Sequence, residues 1–549
     1  MAMMVACGSS SQLSSNVSVK GERASGGTGV SNAAASPAAM NVGDLYTVDF
    51  SKNLTQSISF DGVDSNASFI FIVGSSSSMG NGTSVRLANN IDLLGDVVTK
   101  HIAGDAEDSP ALSVNADEEE TSQDQGDSGY GAREVFDAWL RMAEADLHEI
   151  AEPAFKGQMI QSSVTKSIGE GEVETFRILS SLTSSSSYTT VDARLRCRGD
   201  FVDVYVDVRK DDDEICFDDI TVLCDMYDSV AEREQALIGD PSDVDGDGRV
   251  TALLTPQINK LGSLGGGIIT GYFYAADLYG RGGSNPVSNE REIVYMLVPD
   301  PSGQYGTSIS EAAACENFLP AVFPHELQHA ISYNQHVFIH GGLAEEDWLN
   351  EGMSHWMETR MGFGMENYSR YDLTLSSPST TSLVPSHSPD LLERGASFLF
   401  LQFLSEQSSD ADGFIRRLVQ TESRGVKNLE EAFAGSADDF DQFSEFFGRW
   451  TVAIAATDRG VTQDPRFVYK ERKRNEFTGA WEGVCLICNP DDGRGTILNG
   501  VHLSTYYGNH VANIQPSAAK YYRIDTVPQD IIVKGTEGGS NFGILMRIE

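Results

Sequence analysis

Residues 323–336, FPHELQHAISYNQH, place His325, Glu326 and His329 in one short stretch. Side chains four apart leave the same face of a helix one turn apart, so His325 and His329 can grip a single divalent metal ion. Glu326 sits beside them. A carboxylate there can take a proton from a water attacking a carbonyl and pass it to the leaving amine. This is hydrolytic chemistry of the kind zinc supports, and a catalytic zinc needs a third protein ligand and an open fourth position.

Two patterns could supply that ligand. A third histidine in HExxHxxGxxH would need glycine at 332 and histidine at 335, but the chain has Ser332 and Gln335, with His336 one place late. His336 is therefore expected to continue round the helix to solvent. The other pattern takes a glutamate from a second helix, and EEDWLNEGMSHWME at 345–358 offers Glu351. A separate motif, DPSDVDGDGRV at 240–250, sets Asp243, Asp245 and Asp247 at alternate positions before Gly248. Such a loop can wrap a hard cation such as calcium, although the acidic twelfth position of an EF-hand is Leu254 here.

The elements that must carry these residues follow from pattern. Val135, Phe136, Trp139, Leu140 and Met142 recur at helical spacing in a segment ended by Pro153. Strands are expected in ETFRILSSL, TTVDARLRCRG and FVDVYVDV. In the last of these, Val202, Val204 and Val206 alternate with Asp203, Tyr205 and Asp207, the pattern of a half-buried sheet. A further apolar run, IVYMLV (293–298), precedes the histidine motif, and 315–450 reads as mostly helical. Short strands with Asp, Asn and Gly turns mark 41–100 and 460–549. Residues 104–131 are acidic and nearly devoid of large apolar side chains, as in an exposed linker. The organisation expected is a tether over 1–40, a β-rich region over 41–103, a linker over 104–131, a main domain over 132–458 and a second β-rich region over 459–549.

The chain has 549 residues, long enough for two or three cores. Its 39 basic and 80 acidic residues give a formal charge of −41, which repels nucleic acid and anionic headgroups. No apolar run is long enough to span a bilayer. The start, MAMMVAC followed by a Ser/Gly/Ala tract, reads as the end of a bacterial lipoprotein signal, with Cys7 as the lipid acceptor; the charged n-region is absent and the apolar stretch is short. An exported chain, at the cell surface or secreted, is expected, and a monomer. Cys197, Cys216, Cys224, Cys315, Cys485 and Cys488 permit up to three disulfides whose pairing the spacing leaves open. The lone CLIC at 485–488 suits a local disulfide or two free thiols better than a zinc ribbon.

FPHELQHAISYN, EDWLNEGMSHWMETRMG and RGASFLFLQFL (394–404), with SDVDGDGRVTALLTP (242–256), GGIITGYFYAADLYG (266–280) and NEREIVYMLVPDP (289–301) before them, resemble the hyicolysin family of bacterial zinc metallopeptidases, of gluzincin type, over roughly 135–455. The resemblance implies His325, His329 and Glu351 as zinc ligands and Glu326 as general base. It also implies an α+β zincin: a mixed β/α upper lobe whose edge strand lies near IVYMLV, a helical lower lobe, and a cleft between them in which a protein or peptide substrate adds as a strand. Thermolysin-like enzymes carry an aspartate four residues after the ligand glutamate, where this chain has His355. Glu358, on the same helical face as Glu351, is the acceptor expected for a ligand histidine's other N–H. Among Tyr368, Tyr371, His355 and His387, the best candidates to stabilise an oxyanion are Tyr371 and His387. GMEN at 364–367 follows the HExxH helix, whereas the similar aminopeptidase motif precedes it, which favours an endopeptidase. A zincin-fold adhesin or binding lipoprotein without activity is the alternative, against which the intact Glu326 speaks.

Overall fold

The computed structural model describes residues 34–50, 53–90, 132–155, 169–210, 215–216, 220–283, 285–433, 442–470, 472–490, 492 and 495–549. Cys7, the tether up to residue 33 and the acidic linker lie outside them. Strands β1 (Leu45–Asp49), β2 (Thr55–Ser59), β3 (Phe69–Ser75) and β4 (Thr83–Ala88) open the chain. After α1 (Ala132–Phe155) come β5 (Val173–Leu179), β6 (Tyr188–Arg198), β7 (Val202–Asp207), α2 (Thr221–Ile238), β8 (Val250–Leu254), α3 (Pro256–Ser263), β9 (Gly271–Phe273) and β10 (Ile293–Met296). The fold is α+β.

Strands β5 to β10 form one six-stranded sheet in the order β5-β6-β7-β8-β10-β9. Its centre, β7, β8 and β10, is parallel, while β9 runs antiparallel on β10. The expected edge strand near IVYMLV is thus displaced by one position: β10 is inside the sheet and the three residues of β9 form its rim. The half-buried reading of β7 also needs correction. All six of its residues are buried, because Asp203 is closed off by Arg198 (2.7 Å) and Asp207 by Arg209 and the Thr255 hydroxyl (2.6 Å). Paired carboxylates let a polar strand face sit under cover.

The helical part comprises α4 (Leu319–Tyr333), α5 (Asp347–Met361), α6 (Asn367–Ser376), α7 (Leu391–Gln407), α8 (Ala411–Val419), α9 (Gly425–Phe433) and α10 (Phe443–Ala456). Every residue of α4 is buried. It is entered through a π-helical turn, Ala313–Phe318, whose Cys315 is disulfide-bonded to Cys216 ahead of α2. Tyr227 of α2 donates to the Leu319 carbonyl (3.1 Å) and stacks on Phe323 at 4.3 Å. A second disulfide joins Cys197 of β6 to Cys224 of α2. Sheet, α2 and α4 are therefore held as one block.

The short strands β11 (Lys473–Arg474) and β12 (Trp481–Glu482) pair with each other, as do β13 (Ile487–Cys488) and β14 (Leu498–Asn499), the latter beside a Cys485–Cys488 disulfide. Then β15 (Ser504–Thr505), β16 (Asn509–Ile514), β17 (Ala518–Ile524), β18 (Asp530–Lys534) and β19 (Asn541–Arg547) return to the beginning of the chain. The sheets β1-β19-β3-β17-β15 and β16-β4-β18-β2 are each made from both ends. The two flanking β regions are one sandwich.

Strand β3, FIFIVGS, explains why that sandwich is attached rather than tethered. Phe69, Phe71 and Val73 fill its interior, while Ile70 and Ile72 belong to the core shared with the helices. Phe447 of α10 packs edge-on against Phe542, and Tyr521 donates to the Thr451 carbonyl. With β3 flanked by β17 and β19, a chain ended at residue 503 should lose slow amide exchange throughout 45–88 by hydrogen-exchange mass spectrometry. Protection there equal to the full chain would contradict this dependence.

Candidate metal centre

Helix α4 projects His325 and His329 from one face, and α5 brings Glu351 opposite. The Glu351 carboxylate spans the two imidazoles: Oε2 lies 3.5 Å from His325 Nε2 and Oε1 lies 3.5 Å from His329 Nε2. Donors about 2.0–2.1 Å from a tetrahedral zinc stand roughly 3.3 Å apart. Each nitrogen–oxygen separation is near that spacing, although the two run to different oxygens of Glu351, and two imidazoles with one carboxylate are a catalytic-type donor set. Glu351 Oε2 is buried between His325 Nε2 at 3.5 Å and the Arg394 guanidinium at 3.0 Å.

The approach of α5 depends on Gly352. A Cβ there would stand 3.2 Å from the backbone oxygen of Ser397 on α7. Its absence lets α7 close on the ligand-bearing turn and deliver Arg394, a wholly buried guanidinium 3.0 Å from Glu351 Oε2 and 2.6 Å from Asp137 of α1. The start of α7 is fixed by a capping box in which the Asp390 side chain accepts from the Glu393 N–H and the Glu393 side chain accepts from that of Asp390. Burial would raise the Glu351 carboxyl, but Arg394 and the two imidazoles override it and hold it well below the usual carboxylate range.

Glu358, one helical repeat along α5, binds His325 Nδ1 at 2.8 Å, as the reading of its helical face anticipated. It also binds His355 Nδ1 at 2.9 Å. His355, standing where the thermolysin pattern has aspartate, thus shares the carboxylate. Burial drives its imidazole down to about 3, whereas burial on His325 is outweighed by Glu351 and Glu358, which raise it to about 9. A cation between His325 and Glu351 would take the place of that proton. Among the described residues, one donor atom each from His325, Glu351 and His355 lie within 4.8 Å of one another, a group that does not include His329. Glu358 holds Nδ1 of His355 as it holds that of His325, leaving His355 Nε2 buried without a hydrogen-bond partner, while His329 Nε2 lies 3.5 Å from Glu351 Oε1.

Glu326 is turned towards the sheet rim, where its Oε2 accepts from the Phe273 N–H of β9 at 2.9 Å. That N–H therefore points away from β10 and is taken up by Glu326. Gly271 of the same strand leaves room for both the Tyr295 carbonyl and the Val322 side chain of α4, each of which a Cβ would meet at under 3 Å. His325, Glu326, His329 and Glu351 are all nearly inaccessible. A cavity of about 640 Å³, lined by Arg141, Glu144, Tyr333, Asp347 and His387 among others but by none of these four, lies on the far side of Arg141 and Asp347. Arg141 is paired with Glu144 at 2.7 Å and lies within the electrostatic reach of Glu351 and Glu326.

The remaining sequence-derived positions separate. Tyr371 is a correction: its hydroxyl donates to the Cys485 carbonyl (3.0 Å) and its ring stacks on Phe398 in the core, so it has no access to a substrate. His387 is at the cavity wall, its Nδ1 3.0 Å from the Ser388 carbonyl. His336 is also a correction, being fully buried rather than solvent-facing, 3.8 Å from Glu345. Asp243 and Asp245 gather with Glu292, while Asp247 accepts from the Arg249 N–H and stands outside that group. Arg394, Asp137 and Arg141 were missed. RGAS in the resembling segment was the available pointer to Arg394, and nothing in a polar helix face distinguished the other two.

No protein-family model matches the chain. It is 27% identical over 231 residues to the neutral metalloprotease ShpI of Staphylococcus hyicus, covering 39% of this chain and 48% of that protein. The chain is thus distantly similar, over part of its length, to a bacterial metalloprotease. It spans about half the length of that relative.

Arg394→Met should leave the buried Glu351 carboxylate and the half-buried Asp137 without their shared cation and cost about 3–5 kcal/mol in metal-free chemical denaturation. A loss under 1 kcal/mol would show that the guanidinium does not organise the centre.

Proposed function

We propose that the chain is a zinc-dependent endopeptidase of hyicolysin type, with His325, His329 and Glu351 holding the ion. The observation that carries this reading is the Glu351 carboxylate set 3.5 Å from both imidazoles, with Glu326 on the adjoining turn. The likeness to a metalloprotease supports it independently. A zinc ion at this position would supply Lewis acidity, polarising a scissile carbonyl and bringing the pKa of a water to about 7.

The rest of the work falls to the chain. Glu326 takes the proton of the attacking water and returns it to the leaving amine. The Phe273 N–H holds one Glu326 oxygen and so orients the carboxylate. Glu358 fixes the His325 ring through Nδ1, keeping Nε2 available. A substrate backbone lying beside β9 would form strand hydrogen bonds, giving affinity with little dependence on side chains. Arg141, a buried cation near Glu326, is the group best placed to stabilise developing negative charge, with His387 at the cavity wall as a second donor.

We further infer export, with Cys7 available to a lipid; no described helix is long and apolar enough to cross a membrane.

Glu326→Gln should keep about one zinc per chain by elemental mass spectrometry and lose peptide cleavage by roughly 10²–10⁴-fold. Substantial cleavage by this variant would remove Glu326 from the role of base. Glu351→Ala should lose both zinc and cleavage, and full zinc occupancy in that variant would remove Glu351 from the ligand set.

A further inference from the structure

We propose that a calcium ion binds a second site in which the loop Asp243–Arg249 is completed by Glu292, a carboxylate delivered from the start of β10. In the local sequence the loop follows the calcium-loop plan up to Gly248 and then fails, since the position of the closing acid is Leu254. Folding supplies the missing group from elsewhere. One carboxylate oxygen each from Asp243, Asp245 and Glu292 lie within 4.8 Å of one another. Oxygens bound to calcium at about 2.3–2.6 Å stand at most roughly 5 Å apart.

Glu292 is the observation that distinguishes this site from an ordinary acidic turn. It is fully buried. Its Oε1 accepts from the Ser242 hydroxyl at 2.6 Å and from the Val244 N–H at 3.0 Å, while Oε2 has no hydrogen-bond partner. A buried carboxylate oxygen left without a donor costs several kcal/mol unless a cation or proton meets it. Burial and the neighbouring acids push the Glu292 carboxyl up to about 7 and that of Asp245 up to about 6. Arg291 lies 3.5 Å from Asp245 Oδ2 and is shared with Glu174, so it offsets only part of this charge. All the donors are oxygens and no imidazole or thiolate is among them, which selects a hard ion over zinc.

The loop is folded for the purpose. Gly246 and Gly248 adopt φ of 75° and 74°, conformations that side-chain-bearing residues rarely take. The Gly248 N–H turns back to Asp243 Oδ1 at 2.9 Å. The loop and the residues before it also touch the helix that carries His325 and His329. Asn334 and Gln335, just beyond α4, both donate to the Asp240 carbonyl at 3.0 Å. Val244 packs in a small cluster with Phe273 of β9 and with Ala330 and Tyr333 of α4. An ion here would therefore pin the strand whose Phe273 N–H orients Glu326.

The test is isothermal titration of calcium chloride into the full chain, stripped on chelating resin and reloaded with one zinc, alongside its thermal midpoint with and without calcium. We expect one calcium per chain and a raised midpoint. Glu292→Gln and Asp243→Asn should each weaken calcium binding on the order of tenfold or more, with zinc content unchanged. Asp243 is exposed, so Asp243→Asn folds even if Glu292→Gln does not. Absence of calcium binding in the parent chain, or wild-type affinity in Asp243→Asn, would overturn the proposal.

Discussion

The structure turns on one carboxylate. Glu351 faces two imidazoles from α4 on one side and a buried guanidinium from α7 on the other. Each of these charges would be expensive to bury by itself, and together they are tolerable only when the three helices hold a fixed spacing. That requirement reaches outward through particular residues. Gly352 permits the close contact of α5 with α7, and Asp390 with Glu393 fixes where α7 begins. Asp137 brings α1 into the same network, so a helix remote in sequence becomes part of the wall.

A second set of constraints relates the helices to the sheet. The π-helical turn ahead of α4, the Cys216–Cys315 disulfide and the Tyr227 hydroxyl seat α4 on α2. On its other flank, Gly271 admits Val322, and Phe273 presents its N–H to Glu326. Glu326 is thus positioned by the strand beside which the proposed substrate would lie. Chemistry and substrate alignment share one piece of backbone, so changes in β9 should disturb both.

How far this could be read from sequence depended on the range of the interaction. Residues within two helical turns of each other were legible: His325 and His329 by spacing, and Glu358 by its place on the Glu351 face. The mixture of strands and helices and the helical stretch around the motif followed from periodicity, and the α+β class from the family resemblance. Contacts between distant segments were not. Strand β9 is only three residues long, and the longer apolar run at β10 was the more strand-like of the two. The sandwich pairs β3 with strands at the far end of the chain, a register that no local pattern encodes. Tyr371 and His336 were misjudged for one reason: burial is a property of the packed helices, and a tyrosine or histidine near a motif looks the same in sequence whether it faces a cleft or a core. Glu292 was invisible as a ligand because the loop it completes lies far from it along the chain.

The central claim is that α4 and α5 close on a metal ion through His325, His329 and Glu351. Anomalous diffraction at the zinc absorption edge from crystals of the zinc-loaded chain tests it most directly. The account expects a single strong peak about 2.0–2.2 Å from Nε2 of His325, Nε2 of His329 and a Glu351 oxygen, with His355 still bound to Glu358. A peak coordinated by His355 in place of His329, or no peak at saturating zinc, would contradict it.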